Sequence, residues 1–247
     1  MRRAVLFVSL FLVAHSALPQ DQRHSPRRST DSLHAPWEKL LQAYVQDDGR
    51  VDYKGFLKDQ QRLNSYLEAL ALKPPQEDWT PQGTMAYYIN LYNAGTVALI
   101  LENYPVKSIR NIDRPWAKKR VRVGAEWLSL GDIEHKILRK MGDARIHFAI
   151  NCASVSCPKL PKFAFTEAEI EAQLEQTARG FINDTDRNTF TADKAEISKI
   201  FKWFRSDFKT DDASLVEYLN RFLKKPIPEG TAVRFLPYDW ALNDINP

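Results

Sequence analysis

The sequence predicts a mainly helical α+β single domain with a small antiparallel β-sheet. Three observations predict it. Apolar side chains recur at helical spacing over several long stretches. Short segments of alternating character, bounded by turn residues, lie between them. Residues 37–247 contain no Gly/Ser linker and no internal repeat, and about 210 residues suffice for one sizeable core.

The first helix is expected over 37–48, where Trp37, Leu40, Leu41, Tyr44 and Val45 share one face. A second is expected over 54–72, through Phe56, Leu57, Leu63, Tyr66, Leu67 and Leu70, ended by Pro74-Pro75. The third, 80–103, starts on Thr80 as N-cap with Pro81 at the first helical position. It is apolar almost all round, which predicts burial on most sides. Asn90 and Asn93 lie three apart on one of its faces. Buried amides need partners, so the pair either satisfies nearby loop backbone or forms the wall of a site.

Residues 119–128 alternate around a Gly124-Ala125 turn and predict a β-hairpin. Lys118, Lys119, Arg120 and Arg122, with Trp116, read as a charged solvent face. Residues 129–141 predict a helix capped by Ser129 with Asp132 three residues on. Glu134 falls on the flank of its apolar stripe, where a carboxylate needs a partner, and His135 falls above Arg139. Residues 145–151 predict a strand, with Ile146, Phe148 and Ile150 on one side and His147, Ala149 and Asn151 on the other. A Ser- and Pro-rich loop follows over 152–162. Thr166 and Glu169 suggest a capping box for a helix over 166–183. A hairpin over 188–199, helices over 200–208 and 214–223, and a strand over 231–236 complete the elements.

Met1-Arg2-Arg3, the apolar run Ala4–Ala14 and His15-Ser16-Ala17 have the order of a secretory signal, expected over 1–17. The run is too short to span a bilayer, which takes about 20 residues. Residues 18–36, rich in Ser, Pro and Arg, read as a flexible tether. The mature protein is therefore expected to be secreted or periplasmic, with no membrane attachment once the signal is removed. The full chain has 35 Lys and Arg against 31 Asp and Glu. Residues 1–36 hold five of the former and two of the latter, leaving 30 against 29 for the domain. A balanced domain gives no support to a nucleic-acid partner.

Reactive residue types gather in one region: Glu134, His135, His147, Asn151, Cys152, Ser154, Ser156 and Cys157. A thiol at the end of a strand, entering a polar loop, is a recurring way to present a nucleophile. It needs a base and the base an orienting group. His135 or His147 is the base on this reading, and Glu134 or Asn90 the orienter. Asn90, Asn93, Asn151, Ser154 and Ser156 are the candidates for lining the pocket or donating to an oxyanion. The competing reading is a Cys152–Cys157 disulfide, which export favours. The spacing fits no zinc motif, and no pattern for a nucleotide or other cofactor is present, so neither metal nor cofactor is expected.

Four blocks, YYINLYNAGTVALILENYP, LSLGDIEHKILR, RIHFAINCASVSCPKL and YDWALND, with VDY at 51–53, resemble the family of unknown function DUF547. The likeness extends over nearly all of 37–247. It implies a mostly helical α+β domain of a kind found in exported bacterial proteins and larger plant proteins, with no established reaction. In its Cys, His and Asn content the family is distantly similar to papain- and transglutaminase-like hydrolases. Two functions follow as expectations. One is a thiol-dependent hydrolase or acyl transferase acting on an amide or ester of a small molecule or peptide. The other is a non-catalytic cell-envelope binding module with the cysteines disulfide-bonded.

Overall fold

The computed structural model describes residues 31–191, 193–209 and 214–246. The signal (1–17) and most of the tether lie outside these residues. The architecture is mainly helical α+β, with one two-stranded and one three-stranded sheet among the described residues.

Helix α1 (Asp31–Tyr44) packs on α3 (Gln60–Leu72), reached through the single turn α2 (Tyr53–Phe56). Residues 31–36 are thus helical rather than tether. Leu33 packs on the core, and His34 is buried with its ring bonded to the Tyr66 hydroxyl at 2.8 Å. Averaging composition over 18–36 hides these two anchoring side chains. Helix α4 (Pro81–Glu102) runs through the middle of the first core, buried from Met85 to Leu101 except at Tyr88. Thr80 caps it as expected, its hydroxyl accepting from the Gly83 N–H. Strands β1 (Val121–Val123) and β2 (Glu126–Leu128) form the expected antiparallel hairpin around Gly124, whose φ of 59° favours glycine.

Ser129 and Asp132 make a full capping box for α5 (Leu130–Asp132). The helix then widens into a π-turn over Ile133–Ile137 and tightens into a 3₁₀ turn over Leu138–Met141. Such a turn departs from the i→i−4 ladder and often marks a functional position; here it carries Glu134 and His135.

The strand expected over 145–151 is instead a single helical turn, α6 (Ile146–Ala149), with extended backbone only from Ile150. Ile146, His147, Phe148, Ala149 and Ile150 are all buried, so the alternation of types did not report two different faces. No strand pairs here. Asn93 replaces it: its amide donates to the Ala149 carbonyl at 3.0 Å, and its side-chain oxygen accepts from the Asn151 N–H at 2.8 Å.

Helix α7 (Ile170–Ile182) begins four residues beyond the expected cap. The Thr166 N–H is taken by the Gln173 side chain at 3.0 Å, and Glu167 accepts from the Thr80 hydroxyl at 2.7 Å. These contacts hold 166–169 outside the helix. Strands β3 (Thr189–Phe190) and β4 (Lys194–Ile197) pair antiparallel, and β5 (Ala232–Phe235) joins β4 in parallel. Helices α8 (Ile200–Trp203) and α9 (Leu215–Asn220) are shorter than the stretches expected over 200–208 and 214–223. With α6, α7 and this sheet they enclose a second core around Phe148, Phe181, Phe201 and Phe208. Among the described residues no helix is long and apolar enough to cross a membrane.

Candidate functional site

The site forms where the two cores meet. Asn151 shapes the loop that enters it. Its side-chain oxygen accepts from the Ala153 N–H at 2.8 Å, and its amide donates to the Pro158 carbonyl at 2.7 Å. Ala153 takes a left-handed φ of 58°, unusual for a residue with a Cβ. The closing segment 238–244 runs alongside. Val155 N–H donates to Ala241 O, Ser156 N–H to Asp239 O, and Asn243 N–H to Ala153 O. The Ser156 hydroxyl accepts from the Asp239 N–H at 2.9 Å. Asn151 and Ser156 are therefore occupied in building the loop. Asn90 is occupied too: it grips both the N–H and C=O of Phe165, at 3.0 and 2.7 Å.

Cys152, part-exposed, projects into a cleft of about 260 Å³. Cys157 is buried, and both thiols are free. The Cys157 sulfur accepts from the Cys152 N–H at 2.9 Å. The Cys152 sulfur lies 3.1 Å from the Ser154 hydroxyl and 3.4 Å from that of Tyr238. The Cys157 thiol lowers the Cys152 pKa; burial opposes this, and the Ser154 and Tyr238 hydroxyls add to it. Burial, and then its neighbour, push Cys157 up. Within the pair, ionisation is thus favoured at Cys152 and opposed at Cys157.

His147 faces the same cleft from α6, 3 % exposed. Its Nε2 bonds Asp207 Oδ2 at 2.8 Å, and its ring stacks on Phe204 with centroids 3.9 Å apart. Nδ1 makes no hydrogen bond among the described residues, and none joins Cys152 to either histidine. Arg139 grips Asp207 bidentately at 2.6 and 2.7 Å and also reaches His135 Nδ1 at 3.4 Å. Asp207 is held below the ordinary carboxylate range: burial would raise it, but Arg139 and His147 hydrogen bonds prevail. Burial lowers His147 to about 4, against the pull of Asp207. Burial and then Arg139 also lower exposed His135.

Glu134 lines the cleft separately. It is 8 % exposed, and Tyr92 is its one hydrogen-bond donor among the described residues, at 3.3 Å. Burial raises its pKa to about 7, with Tyr92 and Arg139 opposing. The carboxylate bonded to His147 is Asp207; neither Glu134 nor Asn90 bonds a histidine among the described residues.

Aromatic rings complete the walls: Trp116, Trp203, Phe204, Tyr238 and Trp240. Tyr238 and Trp240 have centroids 4.6 Å apart, and Trp203 and Tyr238 4.8 Å. Trp116 meets Trp240 edge-on at 5.8 Å. Gly131 fixes Trp116 by donating to its carbonyl at 2.8 Å; a Cβ at 131 would come within 2.9 Å of that oxygen. Sequence reasoning missed Asp207, Arg139, Tyr238, Trp203 and Trp240 as site residues. YDWALND carried a signal: two aromatics in a segment too polar to be core. Among the described residues, no cluster of three or more His, Cys, Asp or Glu is arranged to hold a metal ion.

Fold and site together define a class: a mainly helical α+β protein with two cysteines in the lining of an aromatic cleft and a lining histidine bonded to Asp207, which is itself held by Arg139. Over its central stretch, residues 76–182, the chain matches the family described as "Protein of unknown function, DUF547". The match takes in Glu134, both histidines and both cysteines, and stops short of Asp207, Trp203, Tyr238 and Trp240. Neither the curated proteins nor the solved structures compared with the chain give a match.

Proposed function

We propose that the protein is a thiol-dependent hydrolase or acyl transferase on an amide or ester, with Cys152 as nucleophile and His147 as base. One observation carries the reading: a part-exposed thiol with lowered pKa shares a small cleft with a neutral histidine whose far nitrogen is fixed on a half-buried carboxylate. Asp207 selects the tautomer and orientation of His147, which leaves Nδ1 to take the proton. Sγ then attacks the carbonyl carbon, and the oxyanion faces the hydroxyls of Tyr238 and Ser154 beside the sulfur. The bond to the leaving group breaks as His147 returns the proton. Water or a second nucleophile releases the acyl group from the thioester. His135, tied to Arg139 at the rim, is the alternative base.

The proposal includes export, with residues 1–17 as the signal. The test uses p-nitrophenyl acyl esters and intact-mass detection of the acyl-enzyme. A single adduct is expected in the native chain, absent from Cys152→Ala and slowed in His147→Ala. An adduct that persists in Cys152→Ala refutes the proposal. So does a Cys152–Cys157 disulfide in the native protein with no adduct after reduction, which is the outcome expected of the binding module.

A further inference from the structure

Glu134 is the one buried acid of the cleft that the proposed thiol chemistry leaves unused. Arg139, the nearest cation acting on it, is already held bidentately by Asp207. His147 and His135 are both shifted toward the neutral form. The charged and titratable groups around Glu134 are thus a neutralised Arg–Asp pair, two neutral imidazoles, Tyr92 and the Cys152 sulfur. None forms a salt bridge with the carboxyl: Arg139 acts on it only from beyond contact, while paired with Asp207. One donor at 3.3 Å leaves most of the carboxyl's acceptor capacity unfilled. Tyr92 touches it, and the rings of Trp116, Tyr238 and Trp240 line the same cleft; ring faces attract cations. Trp240 already carries the Arg110 guanidinium 5.4 Å from its ring centre. A buried acid without a cation, among aromatic faces, is complementary to an ammonium group.

We propose that the acyl substrate of Cys152 carries a free amino group, and that Glu134 and the surrounding aromatic rings bind it as the ammonium ion. This rests on the thiol-acylation reading and names its substrate class. A cleft of about 260 Å³ has room for something the size of an aminoacyl group. Glu134 acts here as a binding residue. Its negative charge forms fully when the ammonium arrives, because a bound cation favours the ionised carboxyl.

Two measurements on the full chain separate this proposal from the reading beneath it. In the first, iodoacetamide alkylation of Cys152 is followed by intact mass with butylammonium, butyrate or 1-butanol present. Butylammonium is expected to protect saturably, at concentrations at least tenfold below those of the other two. Glu134→Gln should lose that preference and Glu134→Asp retain part of it. Equal protection by all three, stronger protection by butyrate, or an unchanged preference in Glu134→Gln overturns the proposal. In the second, alanine p-nitrophenyl ester is compared with its N-acetyl form, each rate divided by that with free cysteine. The free amine should acylate Cys152 at least tenfold faster, and Glu134→Gln should erase the ratio. Ammonium-selective protection with no acyl adduct from either ester keeps the cation site and removes the substrate assignment, and with it the hydrolase reading. An adduct formed equally from both esters keeps the hydrolase and removes the amine.

Discussion

Asp207 holds its place through three neighbours, Arg139, His147 and Ser206, and its loss would leave His147 buried beside an unpaired guanidinium. Asp207→Asn is expected to slow ester acylation of Cys152 by on the order of 10²-fold or more, as loss of an orienting carboxylate does elsewhere. Rates in Asp207→Asn equal to those of the native chain would remove Asp207 from the mechanism. His147 and Glu134 also make opposite marks on stability. With His147 lowered to about 4, the native state binds fewer protons than the unfolded chain between roughly pH 4 and 6.5. Its contribution is intact above that window and lost as pH falls through it. Glu134, raised to about 7, binds more protons in the native state between roughly pH 4.5 and 7. Its contribution is present below that window and lost as pH rises. Urea midpoints of Glu134→Gln should therefore rise from pH 4 to 6.5, and those of His147→Gln should fall from pH 4.5 to 7. Parallel curves for the two variants would contradict the assignments. The thiols, histidines and Glu134 were legible in the sequence because their residue types announce chemistry. Asp207 was not: it lies 60 residues from His147, in the turn beyond α8, and only the fold brings them together.

At the scale of elements, α4 lines the cleft through Tyr92 and positions the rest of the site through its two buried amides. Asn93 clamps the backbone on both sides of Ile150, and Asn90 clamps Phe165. Removing one clamp strands a buried N–H and a buried C=O, each costing about 1–3 kcal/mol. Asn93→Ala is expected to lower unfolding stability by about 3 kcal/mol and to slow Cys152 labelling, because the α6–Cys152 connection loses its tether. A loss below about 0.5 kcal/mol would show that the clamp is dispensable. The sequence raised the right alternatives for this pair, a backbone partner or a site wall, since a buried amide demands one of them. It misled over 145–151, because a segment buried on every side shows alternation that no sheet imposes. The π-turn at 133–137 left no mark in the sequence at all: the pattern around it reads as ordinary helix, although the widened turn is what carries Glu134 and His135 to the cleft.

Across the whole molecule, the cleft exists because two cores meet, and the C-terminal segment seals the join. Tyr53 donates to Asn243 at 2.8 Å across 190 residues of sequence, and Tyr104 donates to Asp244 at 2.8 Å. Tyr238 and Trp240 then reach the thiol and the aromatic wall. Deleting 237–247 should remove about 3 kcal/mol or more, lowering the melting temperature by roughly 6–12 °C, and should return Cys152 toward ordinary thiol reactivity. An unchanged melting temperature would contradict the sealing role. Mainly helical α+β character was readable from periodicity, whereas the parallel pairing of β4 with β5 was not, since short strands carry no mark of their partner. The central claim is that Cys152 is the activated thiol and Cys157 its protonated neighbour. Peptide-resolved iodoacetamide alkylation from pH 5 to 9 tests it most directly. Cys152 is expected to be labelled with a midpoint below the ordinary thiol value of about 8.5, while Cys157 stays unlabelled in the folded chain. Labelling of Cys157 ahead of Cys152, or a Cys152 midpoint at or above that value, would contradict it.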